Sequence, residues 1–122
     1  MLEQIDEQTN QINELNGMKK PDTRVDQVYT VGCFDLFHLG HIKLIERMRL
    51  IGKKVIVGVH DSRSIFKLKN RVPIHSTTTR MLNVKSHADV VFCISSTDPS
   101  VFMTCIVNLS ENETALYVRY LY

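Results

Sequence analysis

The chain has 122 residues, 43% of them hydrophobic and 23% charged, with 15 Lys plus Arg against 13 Asp plus Glu for a net charge of +2. That length and composition suit one globular domain and exclude a largely disordered chain. The near balance of charge argues against a nucleic-acid binder, and no apolar run approaches the roughly 18 residues that a membrane span needs.

The first 24 residues stand apart. Leu2, Ile5, Ile12 and Leu15 recur at helix-like spacing among polar residues until Gly17 and Pro21 end the pattern. Residues 1–24 therefore read as an N-terminal extension, a short amphipathic helix or a tail; a dimerising coil would have only about two heptads to work with. Met1 to Asn10 has acids and no apolar core, so no secretory signal is expected.

From Val25 the pattern becomes regular. Val28–Val31 reads as a buried strand, ended by Gly32. Leu39, Ile42, Ile45 and Met48 mark one face of a helix over Leu39–Leu50, stopped by Gly52. Val55–Val59 is a second buried strand. A basic, irregular stretch follows, Arg63 to Arg71, closed by Pro73. Ser76 is placed to cap a helix that runs to about His87. Val90–Ile94 is a third strand, Asp98-Pro99 opens a helix over Val101–Leu109, and Ala115–Val118 is a fourth strand. The order β-α-β-α-β-α-β implies an α/β fold, a Rossmann-like parallel sheet with helices on both faces. Ligands of such sheets bind beyond the carboxyl ends of the strands.

The chemistry concentrates between the first strand and the first helix, in Gly32-Cys33-Phe34-Asp35-Leu36-Phe37-His38-Leu39-Gly40-His41. His38 and His41 are three apart at the helix start and share a face. Gly40 between them permits close approach to the backbone, and the helix N-terminus adds a positive field. Two imidazoles and a helix N-terminus suit phosphate oxygens. The segment has neither the GxGxxG pattern nor a Walker lysine. Two alternatives stay open on spacing alone. The histidines could be ordinary surface residues, or they could bind zinc with His60, His75 or Cys33 recruited as a further ligand. The three cysteines, Cys33, Cys93 and Cys105, contain no CxxC pair. A disulfide framework is thus not expected, and a cytoplasmic setting is.

This segment resembles the G-x-F/Y-D-x-x-H-x-G-H signature of the cytidylyltransferase family of nucleotidyltransferases, most of all those acting on phosphoethanolamine and phosphocholine. Val57-Gly58-Val59-His60-Asp61 is similar to the end of their second strand. Pro73-Ile74 with Arg80, then Ala88-Asp89-Val90-Val91, is similar to their next helix and strand. The similarity runs from about Val25 to Arg119 and makes residues 25–122 a nucleotide-binding domain.

The resemblance implies transfer of CMP from CTP to a phospho-alcohol, phosphoethanolamine first, with release of pyrophosphate in phospholipid precursor synthesis. It implies His38, His41, Lys67 and Arg80 as catalytic residues, and Gly32, Cys33, Phe34, Asp35, Gly40 and Lys69 as nucleotide-binding ones. Lys67 is preferred over Lys69, although the family's glycine after that lysine is missing at both. Asp35 is expected to fix the turn by hydrogen bonds to backbone. Mg²⁺ is expected to arrive with CTP, and no protein-held metal is expected. The family is usually dimeric, so a homodimer is an open expectation; no nucleic acid and no membrane insertion are expected. The family's Gly-Asp-Asp after the fourth strand and its later R-T-x-G-I-S-T-T motif are not found, so the domain reads as incomplete at its C-terminal side. An impaired nucleotide-binding or dimerisation module, and an adenylyltransferase of the same superfamily, are the alternatives.

Overall fold

A computed structural model describes residues 22–96, 98 and 113–119. Its elements are β1 (Val25–Gly32), α1 (Leu39–Ile51), β2 (Gly52–His60), α2 (Ser62–Lys69), α3 (Thr77–Lys85), β3 (Val90–Ile94) and β4 (Ala115–Tyr117). The expected helices over residues 1–24 and Val101–Leu109 lie outside the described residues, apart from residues 22–24, which form no regular element.

The strands form one sheet in the order β3-β2-β1-β4, and every pair is parallel. The chain builds outward from β1 to β3, then returns to the other side of β1. This is a Rossmann-like α/β sheet, and its order reverses between β1 and β4. Such a reversal opens a crevice at the carboxyl ends of the two strands.

The centre of the sheet is apolar because β2 is buried on both faces. Its side chains alternate between two clusters. Val55, Val57 and Val59 pack with Val28 of β1, Ile45 and Met48 of α1, and Val84 of α3. Ile56 faces the other way and packs with Phe92 and Ile94 of β3. Each such fully buried aliphatic side chain contributes about 1.5–3 kcal/mol relative to exposure. Gly58 lies on the second face, where a Cβ would come within 2.7 Å of both Phe92 and Ile94. A side chain there would push β3's large residues off the strand.

Two junctions differ from the sequence reading. Gly52 ends α1 as expected, but β2 starts at Gly52 itself, because a Cβ there would meet Val28 at 2.5 Å and only glycine lets the strands close. The basic stretch after β2, expected to be irregular, forms helix α2. Asp61 caps it by accepting from the Ser64 N–H at 2.7 Å, and burial of Ile65 docks it. Its other apolar residues, Phe66 and Leu68, stay about half exposed.

The remaining joints are polar. Asp89 accepts from the Val55 N–H at 2.8 Å and pairs with Arg49 at 3.0 Å, tying the end of α1 to the sheet. The short β4 is held by a Thr30 hydroxyl donating to Val118 O at 2.6 Å, by bonds between Asp26 and Thr114, and by the Tyr29–Tyr117 ring contact.

Candidate functional site

The site begins in the loop from β1 to α1, where two residues with side chains stand in the left-handed region: Phe34 (φ 54°) and Leu36 (φ 49°). Such conformations cost roughly 1 kcal/mol or more and persist only when the surroundings enforce them. Two anchors do so. The Phe34 ring is buried, and it lies where a Cβ at Gly32 would come within 2.9 Å of it. Asp35, between the strained residues, accepts three backbone N–H bonds. Its Oδ1 takes Leu36 N–H (3.1 Å) and His75 N–H (2.9 Å), and its Oδ2 takes Ile74 N–H (2.8 Å). Burial pushes this carboxyl up, but the His75, Ile74 and Leu36 donors and the Arg80 charge outweigh it and hold it below the ordinary value. Asp35 thus joins this loop to the loop before α3.

The two histidines cap their own helix. His38 is the N-cap of α1, and its Nδ1 accepts from Gly40 N–H at 3.0 Å. His41, three residues on, returns the arrangement: its Nδ1 accepts from His38 N–H at 3.2 Å. This is a capping box in which imidazoles replace the usual Ser/Thr and Glu. It has a chemical consequence. With each Nδ1 accepting, each neutral ring carries its proton on Nε2. The rings lie 4.0 Å apart between centroids, and Phe37 stacks on His41 at 5.3 Å. His41 is only 5% exposed; burial, then the neighbouring His38, pushes its pKa down. His41 is therefore held as a neutral Nε2–H donor.

A cleft of about 230 Å³ opens in front of this loop, lined by Gly32, Cys33, Phe34, Asp35, His38 and His41, together with Lys69 and Arg71. A second cleft of about 330 Å³ shares Cys33, Asp35, Lys69 and Arg71 and continues along Leu36, Val72, Pro73 and Ile74.

The expected site residues separate on this geometry. Gly32, Cys33, Phe34, Asp35, His38, His41 and Lys69 share the histidine cleft. Gly40 contributes its N–H to the cap. Lys67, the preferred lysine, lies exposed on α2 and lines neither cleft. The next residue explains the choice: Asn70 ends α2 at φ 54°, a conformation in which glycine is the usual residue. Asparagine, which tolerates it best after glycine, supplies the geometry of the missing glycine, and it does so directly after Lys69. The same turn brings Arg71 into both clefts. The sequence reading passed over Arg71; the signal was an asparagine between two cations.

Arg80 also departs from expectation. It is fully buried, and all five of its N–H donors are taken by protein. They go to the carbonyls of His75, Cys33 and His60 and to the hydroxyls of Ser62 and Thr77. No donor remains to face a phosphate, so Arg80 is a positioning residue that pins the carboxyl ends of β1 and β2 to the starts of α2 and α3. The zinc alternative lacks its ligand set: among the described residues no three His, Cys, Asp or Glu side chains converge as a metal-binding group. Among the same residues no helix is long and apolar enough to cross a membrane.

Known proteins resemble this chain over part of its length. The chain is similar to the bifunctional protein HldE of Pseudomonas paraeruginosa, 46% identical over 55 residues, which is 44% of this chain and 12% of that protein. It is similar to the ethanolamine-phosphate cytidylyltransferase of Dictyostelium discoideum, 40% identical over 68 residues, 55% of this chain and 18% of that protein. The matched parts thus span no more than 18% of either relative. The crystal structure of the lipopolysaccharide core biosynthesis protein from Thermoplasma volcanium GSS1 has the same fold, with a TM-score of 0.60 at 22% identity over 66% of this chain and 67% of that one. The family model described as cytidylyltransferase-like matches residues 29–114, from within β1 to the approach to β4 and well over half of the chain. On that match, the chain belongs to the cytidylyltransferase-like family.

Proposed function

We propose that this chain carries the nucleotide half of a nucleotidyltransferase site that uses CTP and a phosphorylated alcohol. The observation that carries the reading is the imidazole capping box, which sets His38 and His41 in the lining of a cleft that also holds Lys69 and Arg71. In the reaction, an oxygen of the acceptor's phosphate attacks the α-phosphorus of CTP. A new P–O bond forms as the bond to the bridging oxygen breaks, and pyrophosphate leaves with that electron pair. The protein has little covalent work to do, so its contribution is orientation and charge stabilisation. His38 and His41 donate to phosphate oxygens as negative charge grows, and the N-terminus of α1 adds to the field.

The donor set fits a magnesium ion carried by the nucleotide, because Asp35, the one carboxylate among the described residues lining the histidine cleft, is engaged by backbone N–H groups. Bound to the triphosphate, the ion supplies charge neutralisation. The Dictyostelium relative, by its name a cytidylyltransferase, supports CTP, whereas the HldE match leaves the base open.

The test is calorimetric titration of CTP with Mg²⁺ into the chain, beside His41→Ala, with pyrophosphate release followed when a phosphorylated alcohol is added. Binding that disappears in the variant supports the reading; equal binding by both proteins overturns it. Competition with ATP decides the base. A second reading, nucleotide binding without turnover, is favoured by one observation: of the four expected catalytic residues, Lys67 and Arg80 do not face the cleft. Robust pyrophosphate release would eliminate it.

A further inference from the structure

We propose that Phe37 is a positioning residue for His41, and that His87 braces Phe37 from the end of α3. The proposal rests on the nucleotidyltransferase reading and adds to it the device that orients one of its phosphate donors. The signature G-x-F/Y-D-x-x-H-x-G-H leaves position 37 unspecified, so the assignment comes from the packing of this chain.

The first argument is what the cap leaves undecided. The bond from His38 N–H to His41 Nδ1 selects which way round the imidazole sits. It does not set the plane of the ring, which can pivot about that bond, and the outer torsion of histidine is intrinsically broad. The plane has to come from packing. Phe37 lies nearly parallel to His41, at 13° and 5.3 Å between centroids, whereas His38 and Phe34 meet it at 31° and 56°. A swing of the imidazole would break the Phe37 stack.

The second argument is that Phe37 is itself held. It is half-buried and packs on the core cluster shared by the sheet, α1 and α3. It also stacks with His87, at 5.5 Å and 29°. The His87 side chain is exposed, but its backbone is fastened at both polar groups. Its N–H donates to Val84 O at 3.0 Å, and its carbonyl accepts from Arg49 Nη2 at 2.7 Å. A ring mounted just past α3 thus steadies a ring in the β1–α1 loop. Phe37 also covers part of His41, and burial is the largest cause of that histidine's lowered pKa, with His38 next.

The experiment is long-range nitrogen–proton NMR of the full chain without nucleotide. Phe37→Leu keeps an apolar side chain and removes the ring plane; Phe37→Tyr keeps the ring. The leucine variant is expected to turn the His41 Nε2–H form into a mixture of tautomers and to move its titration midpoint upward. The tyrosine variant is expected to restore both. Affinity for CTP with Mg²⁺ should fall several-fold, up to about tenfold, in Phe37→Leu and recover in Phe37→Tyr. Asp35, Lys69 and Arg71, the charged groups that share the cleft with the histidines, are unchanged in every variant. A role in the core alone would lower stability in urea and leave the His41 signals where they are, and that result overturns the proposal. His87→Ala removes the brace at an exposed position and keeps its backbone bonds. It is expected to move the same His41 signals the same way by less, and it decides the matter if Phe37→Leu does not fold; unmoved signals overturn the brace. Equal CTP affinity in Phe37→Leu despite a moved His41 also overturns the proposal but leaves the nucleotidyltransferase reading standing. An unmodified chain that ignores CTP sinks that reading, while the nucleotide-free spectra still decide what holds His41.

Discussion

The segment between β1 and α1 and the segment between β2 and α3 face the same clefts, but they are held on different terms. In the first, His38 and His41 are placed by bonds within three residues of themselves, and the helix they cap is their own. In the second, Lys69 and Arg71 are set by a turn whose flanks are fastened from afar: Arg80 bonds Cys33 O across 47 residues, and Asp35 bonds the Ile74 and His75 amides across 39 and 40. Local chemistry builds the donors, and tertiary chemistry brings the cations to them. Changes in the second framework should therefore loosen the fold, while changes in the first should alter binding in an intact fold.

The largest expected effect is at Arg80. Arg80→Met leaves three backbone carbonyls without their donor, at about 1–3 kcal/mol for each that stays buried and unsatisfied, so a loss on the order of 4 kcal/mol is expected in urea unfolding. A loss under about 1 kcal/mol would mean that the pin is dispensable and the comparison wrong.

Asp35 comes next. Asp35→Ala removes the acceptor for three backbone N–H groups, and hydrogen bonds to a charged group are worth about 1.5–3 kcal/mol each before solvent and relaxation recover part. About 2 kcal/mol is expected, with Phe34 and Leu36 relaxing out of the left-handed region. The pH dependence has a fixed sign. Because the folded carboxyl lies below its ordinary value, its stabilisation is present above about pH 4 and fades as pH falls toward the folded pKa. Thermal melts of both proteins should converge in acid; a constant gap would contradict the role.

His41 gives a smaller effect of distinctive sign. Burial and His38 depress its pKa, so its neutral form favours the fold above the ordinary histidine value of about 6.5, and that contribution declines as pH falls below it. Protonation at Nδ1 also removes the acceptor of the His38 N–H. CTP affinity should thus weaken as pH falls through this range, although an imidazolium would attract phosphate more strongly. Binding that strengthens on acidification would show that charge, not donor geometry, dominates.

The smallest effects discriminate between the lysines. Lys69→Ala is expected to weaken CTP binding several-fold, the scale of one partly solvated charge contact of about 1 kcal/mol, while Lys67→Ala leaves it unchanged. Asn70→Gly should be tolerated and Asn70→Val should cost about 1 kcal/mol, through the left-handed backbone at 70.

What the sequence disclosed follows the same division. The strands of β1, β2 and β3 were legible because their apolar runs answer to burial alone, and the Ser76 cap because it acts within three residues. The histidine pair was legible for that reason too. Helix α2 was not, since it is only eight residues long and carries Arg63, Lys67 and Lys69, so the basic stretch masked its short apolar face. Asp61 was its one local sign. Arg80 was visible as a residue but not as a pin, because the carbonyls it serves come together only when β1 and β2 pair. The choice of Lys69 over Lys67 turned on the backbone at Asn70, which no composition displays.

The capping box, with Nδ1 of both His38 and His41 engaged, leaves Nε2 as the ring nitrogen available to donate to a nucleotide phosphate in the proposed reaction. Long-range nitrogen–proton NMR of the imidazoles reads it directly, with and without CTP and Mg²⁺. The expected result is the Nε2–H form for both His38 and His41 in the free chain, with marked shifts of both Nε2–H signals when CTP binds. Protons on Nδ1, or CTP binding that leaves both imidazoles unmoved, would contradict it.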